Sequence, residues 1–190
     1  MRRYITIGTA ILALLAGPVL AAKSTTPDAE LAKALRLAAE QATTFEDRFA
    51  AEVWLKDMSD RLGKRVKDAD ERIQILQGVH REAKRVDLPP ELVLAVMEVE
   101  SNFDRFAISY AGARGLMQVM PFWLDEIGAP NDSLFDIDTN IRMGCTILRH
   151  YYDRENGNLH RALARYNGSL GSRKYSGKVL DRLRRRWHSR

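Results

Sequence analysis

Cysteine is almost missing from this chain: Cys145 is the only one in 190 residues. A single thiol excludes an internal disulfide and a thiolate metal cluster. It sits at helical spacing between Ile141 and Leu148, the pattern of an inert, buried thiol rather than a nucleophile. Histidine is scarce as well. His80, His150, His160 and His188 show no HExxH and no paired-ligand spacing, so no metal site is expected. There is no GxxxxGK[ST] phosphate loop and no GxSxG nucleophile elbow, and no cofactor is expected. Strand patterns longer than a few residues are lacking, and so are internal repeats. The longest apolar stretch, Ile5 to Leu15, falls short of the roughly 20 residues of a membrane span.

What is present is an ordinary globular composition, 45% hydrophobic and 29% charged, which excludes disorder as the main state. Two early arginines, the apolar stretch, a Gly17-Pro18 break and small residues read as a secretory signal over residues 1–22, cut after Ala21 or Ala22. No cysteine lies near that cut, so a lipid anchor is not expected, and membrane contact is limited to an uncleaved signal. Export without disulfides suits a bacterial periplasm. The formal charge is +5, and without Arg2 and Arg3 it is 28 basic against 25 acidic residues. Much of the excess lies in LDRLRRRWHSR (180–190), read as a solvated helix end. Export argues against nucleic acid as a partner.

The remaining chain reads as helices separated by polar breaks. Residues 28–42 favour helix, Thr44 to Asp47 form a capping box, and a second helix runs to Leu62 with Phe49, Val53, Trp54 and Met58 on one side. A third helix starts at Asp68 or Asp70 and presents Ile73, Leu76, Val79 and His80. After Asp87-Leu-Pro-Pro comes another helix, then a Gly-rich segment and a short helix in PFWLDEIG. Asp138 is read as the cap of a helix from Thr139 to about Glu155, HRALARY makes one more, and the last spans about 177–187. The class is mainly α, with at most a very small β element. Residues 23–77 form a helical extension and 78–190 a catalytic domain.

One stretch carries the chemistry. ELVLAVMEVESNF (91–103) is apolar from Leu92 to Val99, yet contains Glu98 and Glu100. At about 100° per residue the two point some 200° apart. Glu98 aligns with Glu91 and Asn102, which reads as a wet face. Glu100 neighbours Val93, Val96 and Met97. A carboxyl in apolar surroundings has a raised pKa and can serve as a general acid. The alternative is a structural acid satisfied by hydrogen bonds or an ion pair, and periodicity alone does not choose between them.

The residues that follow do. Glu100-Ser101, Phe103, Ala107 with Ser109, Gly112-Ala113, Gly115-Leu116-Met117-Gln118 and Met120-Pro121 keep an ungapped spacing that resembles the soluble lytic murein transglycosylases, a lysozyme-like family. Asn140 with Gly144, and Tyr166-Asn167, resemble its further elements. The resemblance covers about Gly78 to Val179. It implies a lysozyme-like fold, peptidoglycan glycan strands as partner, and Glu100 as the catalytic residue, acting as acid and then base. It implies substrate contacts by Ser101, Ser109, Gln118, Met120, Tyr166 and Asn167, with the Tyr166 hydroxyl near Glu100. Three departures stand out. Asp104, four residues after Glu100, is a candidate second carboxylate. The usual Tyr-Asn-Ala-Gly becomes Tyr166-Asn167-Gly168-Ser169. An acid that many relatives carry is absent from Ser172-Arg173-Lys174-Tyr175, leaving Tyr175 as a candidate to line the cleft. A hydrolase on the same fold, a muramidase or chitosanase, and a non-catalytic wall-binding or assembly protein remain the alternatives.

Overall fold

Short polar side chains set three of the helix starts, those at Asp68, Asp136 and Asn158. The computed structural model describes Leu35, Ala38 and residues 48–188. Helix α1 spans Arg48–Leu62. Helix α2, Ala69–Arg85, is capped by Asp68, whose carboxylate accepts the Glu71 amide at 2.7 Å. Pro90 occupies the first turn of α3, Pro90–Glu100, where its missing N–H costs nothing. A short α4, Trp123–Ile127, precedes α5, Ile137–Arg154. Asn158 caps α6, Leu159–Tyr166, and α7 runs Lys174–Arg182 into a π-helical turn, Leu183–Trp187. Among the described residues the only β structure is a pair of isolated bridges that join Arg114 to Ile108 and Val119. The mainly helical class and the very small β element agree with the sequence.

Helix α3 is the axis of the packing. Its residues 92–98 are all buried, against α2 on one side and α7 with the π-helical turn on another. Leu55, Met58 and Leu62 of α1, Leu76 and Val79 of α2, Leu94 and Met97 of α3, and Ile141 and Leu148 of α5 belong to one hydrophobic cluster and are at most 1% exposed. Each such side chain contributes about 1.5–3 kcal/mol of burial. Cys145 is fully buried among them, and burial pushes its thiol far above the usual range. The stretch 48–77 is therefore part of the same core, and the boundary drawn at residue 78 falls inside α2.

Several boundaries and faces differ from the sequence reading. In α1 the packed stripe is Ala51, Leu55, Met58 and Leu62, whereas Phe49 is 78% and Val53 53% exposed. Both sets repeat at helical spacing, and packing against α2 selects the first. In α2, Ile75 is buried and Ile73 is only partly so. Asp136, not Asp138, caps α5, accepting the Thr139 amide at 2.9 Å. Asp138 sits in the first turn and receives Arg81 at 2.8 Å. The last helix starts at Lys174 rather than 177. The predicted helix over 28–42, apart from Leu35 and Ala38, and the capping box lie outside the described residues.

His80 gives the fold a pH dependence. It is 4% exposed, edge-on to Trp54 with ring centroids 5.2 Å apart. Burial, reinforced by Lys84, depresses its pKa from 6.5 to about 4. The unfolded chain thus takes up this proton first as pH falls. The stability His80 contributes is complete above about 6.5 and is lost toward pH 4. Denaturant unfolding at pH 7 and pH 5 should show a loss of about 2 kcal/mol from this group, absent in His80→Phe.

Candidate active site

Glu100 closes α3 and stands at the edge of a cleft of about 380 Å³, bordered by Val99, Asn167, Ser172, Lys174, Tyr175 and Lys178. Burial pushes its carboxyl up from 4.5 to about 7, against the opposing hydrogen bond from Tyr175. The Tyr175 hydroxyl donates to Glu100 Oε1 at 2.5 Å. Burial, with the negative charge of Glu100 next, holds that phenol well above its ordinary pKa, so it remains a neutral donor. Among the described residues Glu100 is the only carboxylate bordering the cleft, and Lys174 and Lys178 lie one turn apart on its α7 wall.

The second-carboxylate reading of Asp104 fails on backbone grounds. The helix stops at Glu100, and Asn102 and Phe103 turn through left-handed conformations with φ of 51° and 68°. Asp104 leaves the Glu100 face, is exposed, and accepts the Phe106 amide at 2.9 Å.

The Gly-rich segment is held as a fixed shelf beside the end of α3. Buried Asn140 on α5 accepts the Met117 amide at 2.8 Å and donates to the carbonyls of Arg114 and Leu134 at 2.9 and 2.7 Å. A side chain at Gly115 would lie 2.3 Å from the Leu134 carbonyl oxygen, at a φ of +75°. One at Gly144 would lie 2.4 Å from the Met117 sulfur. The Asn–Gly pair read from the sequence is thus a clamp and a gap that admit this loop. Ser101 serves the same loop, its hydroxyl donating to Leu116 O at 2.8 Å and accepting the Phe103 amide at 3.1 Å. Ser109 accepts the Ala113 amide at 3.0 Å. Gln118, at φ 50°, donates its amide to Ala107 O and Gly115 O at 3.1 and 3.0 Å, which turns Oε1 away from those carbonyls. Met120 is half-buried and Asn167 is exposed, the latter on the Glu100 cleft.

The tyrosines divide two tasks. Tyr166 lies within electrostatic reach of Glu100, whose charge helps to push its buried phenol up, and donates its hydroxyl to Met117 O at 2.7 Å. Tyr175 takes the place beside the acid. The sequence left Tyr175 as a cleft candidate only, and missed Lys174 and Lys178, because their proximity to Glu100 depends on how α7 packs on α3. Glu98 is not on a wet face. It is 8% exposed and accepts Trp187 Nε1 at 2.7 Å, Arg65 at 2.9 Å, Arg182 at 3.2 Å and Arg186. Burial raises its pKa, opposed by the Trp187 hydrogen bond and the Arg182 charge.

Tyr175→Phe tests the pairing at Glu100. Losing a donor that favours the charged form raises the Glu100 pKa further. The alkaline limb of kcat/KM should move to higher pH and the maximal rate fall about tenfold. A merely structural tyrosine would leave the limb in place.

Several known proteins are similar to this chain. The membrane-bound lytic murein transglycosylase C of Actinobacillus pleuropneumoniae serotype 5b (strain L20) is 54% identical over 48 residues, covering 25% of this chain and 13% of that protein. The transglycosylase of Enterobacteria phage PRD1 is 34% identical over 104 residues, 51% of this chain and 38% of that one. A solved structure of an inactive mutant of lytic transglycosylase Slt from Pseudomonas aeruginosa is 29% identical, covers 75% of this chain and 23% of that one, and gives a TM-score of 0.47. The chain spans well under half the length of each of these proteins. Residues 78–185, more than half of the chain, match the Transglycosylase SLT domain, and the chain belongs to that family.

Proposed function

We propose that this protein is an exported lytic transglycosylase of peptidoglycan. It cleaves the MurNAc–GlcNAc β-1,4 bond without water and leaves a 1,6-anhydroMurNAc end. The observation that carries this reading is the single carboxyl bordering the cleft, Glu100, with its pKa pushed up to about 7. Glycosidases of the usual kind need two carboxylates flanking the bond, and Asp104 is turned away.

With one carboxyl the acid must also be the base. Protonated Glu100 gives its proton to the glycosidic oxygen as the bond to the anomeric carbon breaks. The substrate's own N-acetyl oxygen supports the cationic sugar. Glu100, now a carboxylate stabilised by Tyr175, removes the proton of the C6 hydroxyl, and that oxygen closes on the anomeric carbon. The proton count on Glu100 is restored. A pKa near the working pH suits both halves, and the internal hydroxyl outcompetes water by proximity. Ser109, Gln118 and Asn167 hydrogen-bond the sugar and Met120 packs on its face, while Ser101 and Tyr166 contribute by fixing the shelf. Lys174 and Lys178 complement the carboxylates that stem peptides carry. The sequence signal at residues 1–22 supports delivery to the periplasm.

The test is a murein suspension followed by turbidity and by a reducing-end assay together. Clearing without a rise in reducing ends is expected. Clearing matched by new reducing ends would make the enzyme a hydrolase, and no clearing with bound protein would favour a wall-binding role.

A further inference from the structure

The basic run after Leu180 is not a loose, solvated end. Trp187 is fully buried, its ring 5.4 Å from Phe103. Arg61 on α1 donates to the carbonyls of Arg186 and His188 at 2.6 and 2.9 Å, fastening the run to α1. Arg65 reaches Asn102 and Glu98, both at 2.9 Å. Between these elements opens a hollow of about 640 Å³, larger than the Glu100 cleft. Its wall carries Arg61, Lys64, Arg65, Arg185 and Arg186 and, among the described residues, no carboxylate.

The positive charge there is in excess. The acids behind the wall are Asp57, Glu98 and Asp181. Asp57 pairs with Arg61, and Asp181 is shared by Arg182, Arg184 and Arg185. Glu98 alone serves Arg65, Arg182 and Arg186. Buried Glu98 therefore holds several guanidiniums in place without cancelling them. Lys64 has no ion pair with any described residue. The hollow is back to back with the active cleft across the end of α3. Asn102, two residues beyond Glu100, borders it, and Glu98 lies behind its wall while Glu100 borders the cleft on the other side of the helix.

We propose that this hollow is a second binding site on the wall polymer, taking the carboxylates of acidic stem peptides that project from the glycan. This rests on peptidoglycan being the substrate of the Glu100 cleft. Guanidinium forks match carboxylates in pairs. The site is concave, which admits a projecting peptide and fits a flat bilayer poorly. Its one aromatic, Trp187, is buried, so the wall offers nothing to insert among lipid chains. Engaging a peptide here while the cleft engages sugar keeps the enzyme on the polymer and raises the local concentration of glycan.

The experiment uses the full mature chain carrying Glu100→Gln, so that binding is read without digestion. It is co-sedimented with purified peptidoglycan, with the same material stripped of stem peptides by an amidase, and with phosphatidylglycerol vesicles, over a salt series. Lys64→Glu with Arg185→Glu reverses two exposed charges that make no contact with Glu98. Lys64→Gln alone is the milder variant should the double one show a lowered thermal midpoint. Retention on peptide-bearing wall should fall about tenfold with the double variant, and its salt dependence should become shallower. Stripped wall should bind both forms equally through the cleft. Equal retention of the variant on peptide-bearing wall overturns the proposal. So does variant-sensitive binding to vesicles but not to wall, which would assign the hollow to a membrane surface. Failure of the parent protein to bind even stripped wall would instead overturn the reading of the cleft.

Discussion

Glu100→Gln should abolish product formation, lowering the rate by at least about 10⁴-fold, because in the proposed mechanism one group performs both the acid and the base step. Gln keeps the shape and can accept from Tyr175, but has no proton to give in the pH range of the reaction. The same substitution should stabilise the fold, and the sign follows from linkage. The native pKa is raised from 4.5 to about 7, so between these values the native state holds a proton that the unfolded chain has released. The protein therefore loses stability as pH rises through that window. At pH 8 the variant should be up to about 3 kcal/mol more stable than the parent, with the advantage gone near pH 4. Urea unfolding of both proteins at the two pH values measures it. An inactive variant with no such pH-dependent gain would mean that Glu100 is not held in a desolvated site.

Glu98→Ala should do the opposite. Removing this carboxylate leaves Arg65, Arg182 and Arg186 facing one another, and Trp187 Nε1 without its acceptor. Breaking a buried ion cluster on one side costs about 3–5 kcal/mol, a fall in melting temperature of about 10 °C or more for a domain of this size. Thermal unfolding at neutral pH reads the loss. The protein that remains folded should keep the alkaline limb of its pH–rate profile, since the Glu100 carboxyl and Tyr175 lie on the other side of the helix. On the proposed mechanism, two acids two residues apart serve stability and chemistry separately.

That separation was half legible in the sequence. Periodicity put Glu98 and Glu100 on opposite sides of α3 and assigned apolar surroundings to Glu100, as observed. It could not tell that the other side of the helix is also covered. The partners of Glu98 lie 33 and 84 to 89 residues away in the chain, at Arg65 and at Arg182 to Trp187. A helix buried all round has no wet face to read. Asn140, Gly144 and Gly115 were legible as a motif, but their task of clamping and admitting the Met117 loop is a matter of distances. Ser101 and Tyr166 were legible as motif positions, yet their hydroxyls turn to the carbonyls of Leu116 and Met117. Tyr175 was only a candidate because its register on α7 decides whether it meets Glu100. Asp136 and Asp138 are both plausible caps two residues apart, and only the backbone chooses.

The central claim is that one carboxyl cleaves the glycan with the sugar's own hydroxyl as nucleophile. Digestion of purified peptidoglycan by the mature protein in ¹⁸O-labelled water, read by mass spectrometry, tests it most directly. The account predicts disaccharide-peptides lighter by one water than hydrolysis products, free of label, and none at all from Glu100→Gln. Products with a reducing end that carries ¹⁸O would contradict it.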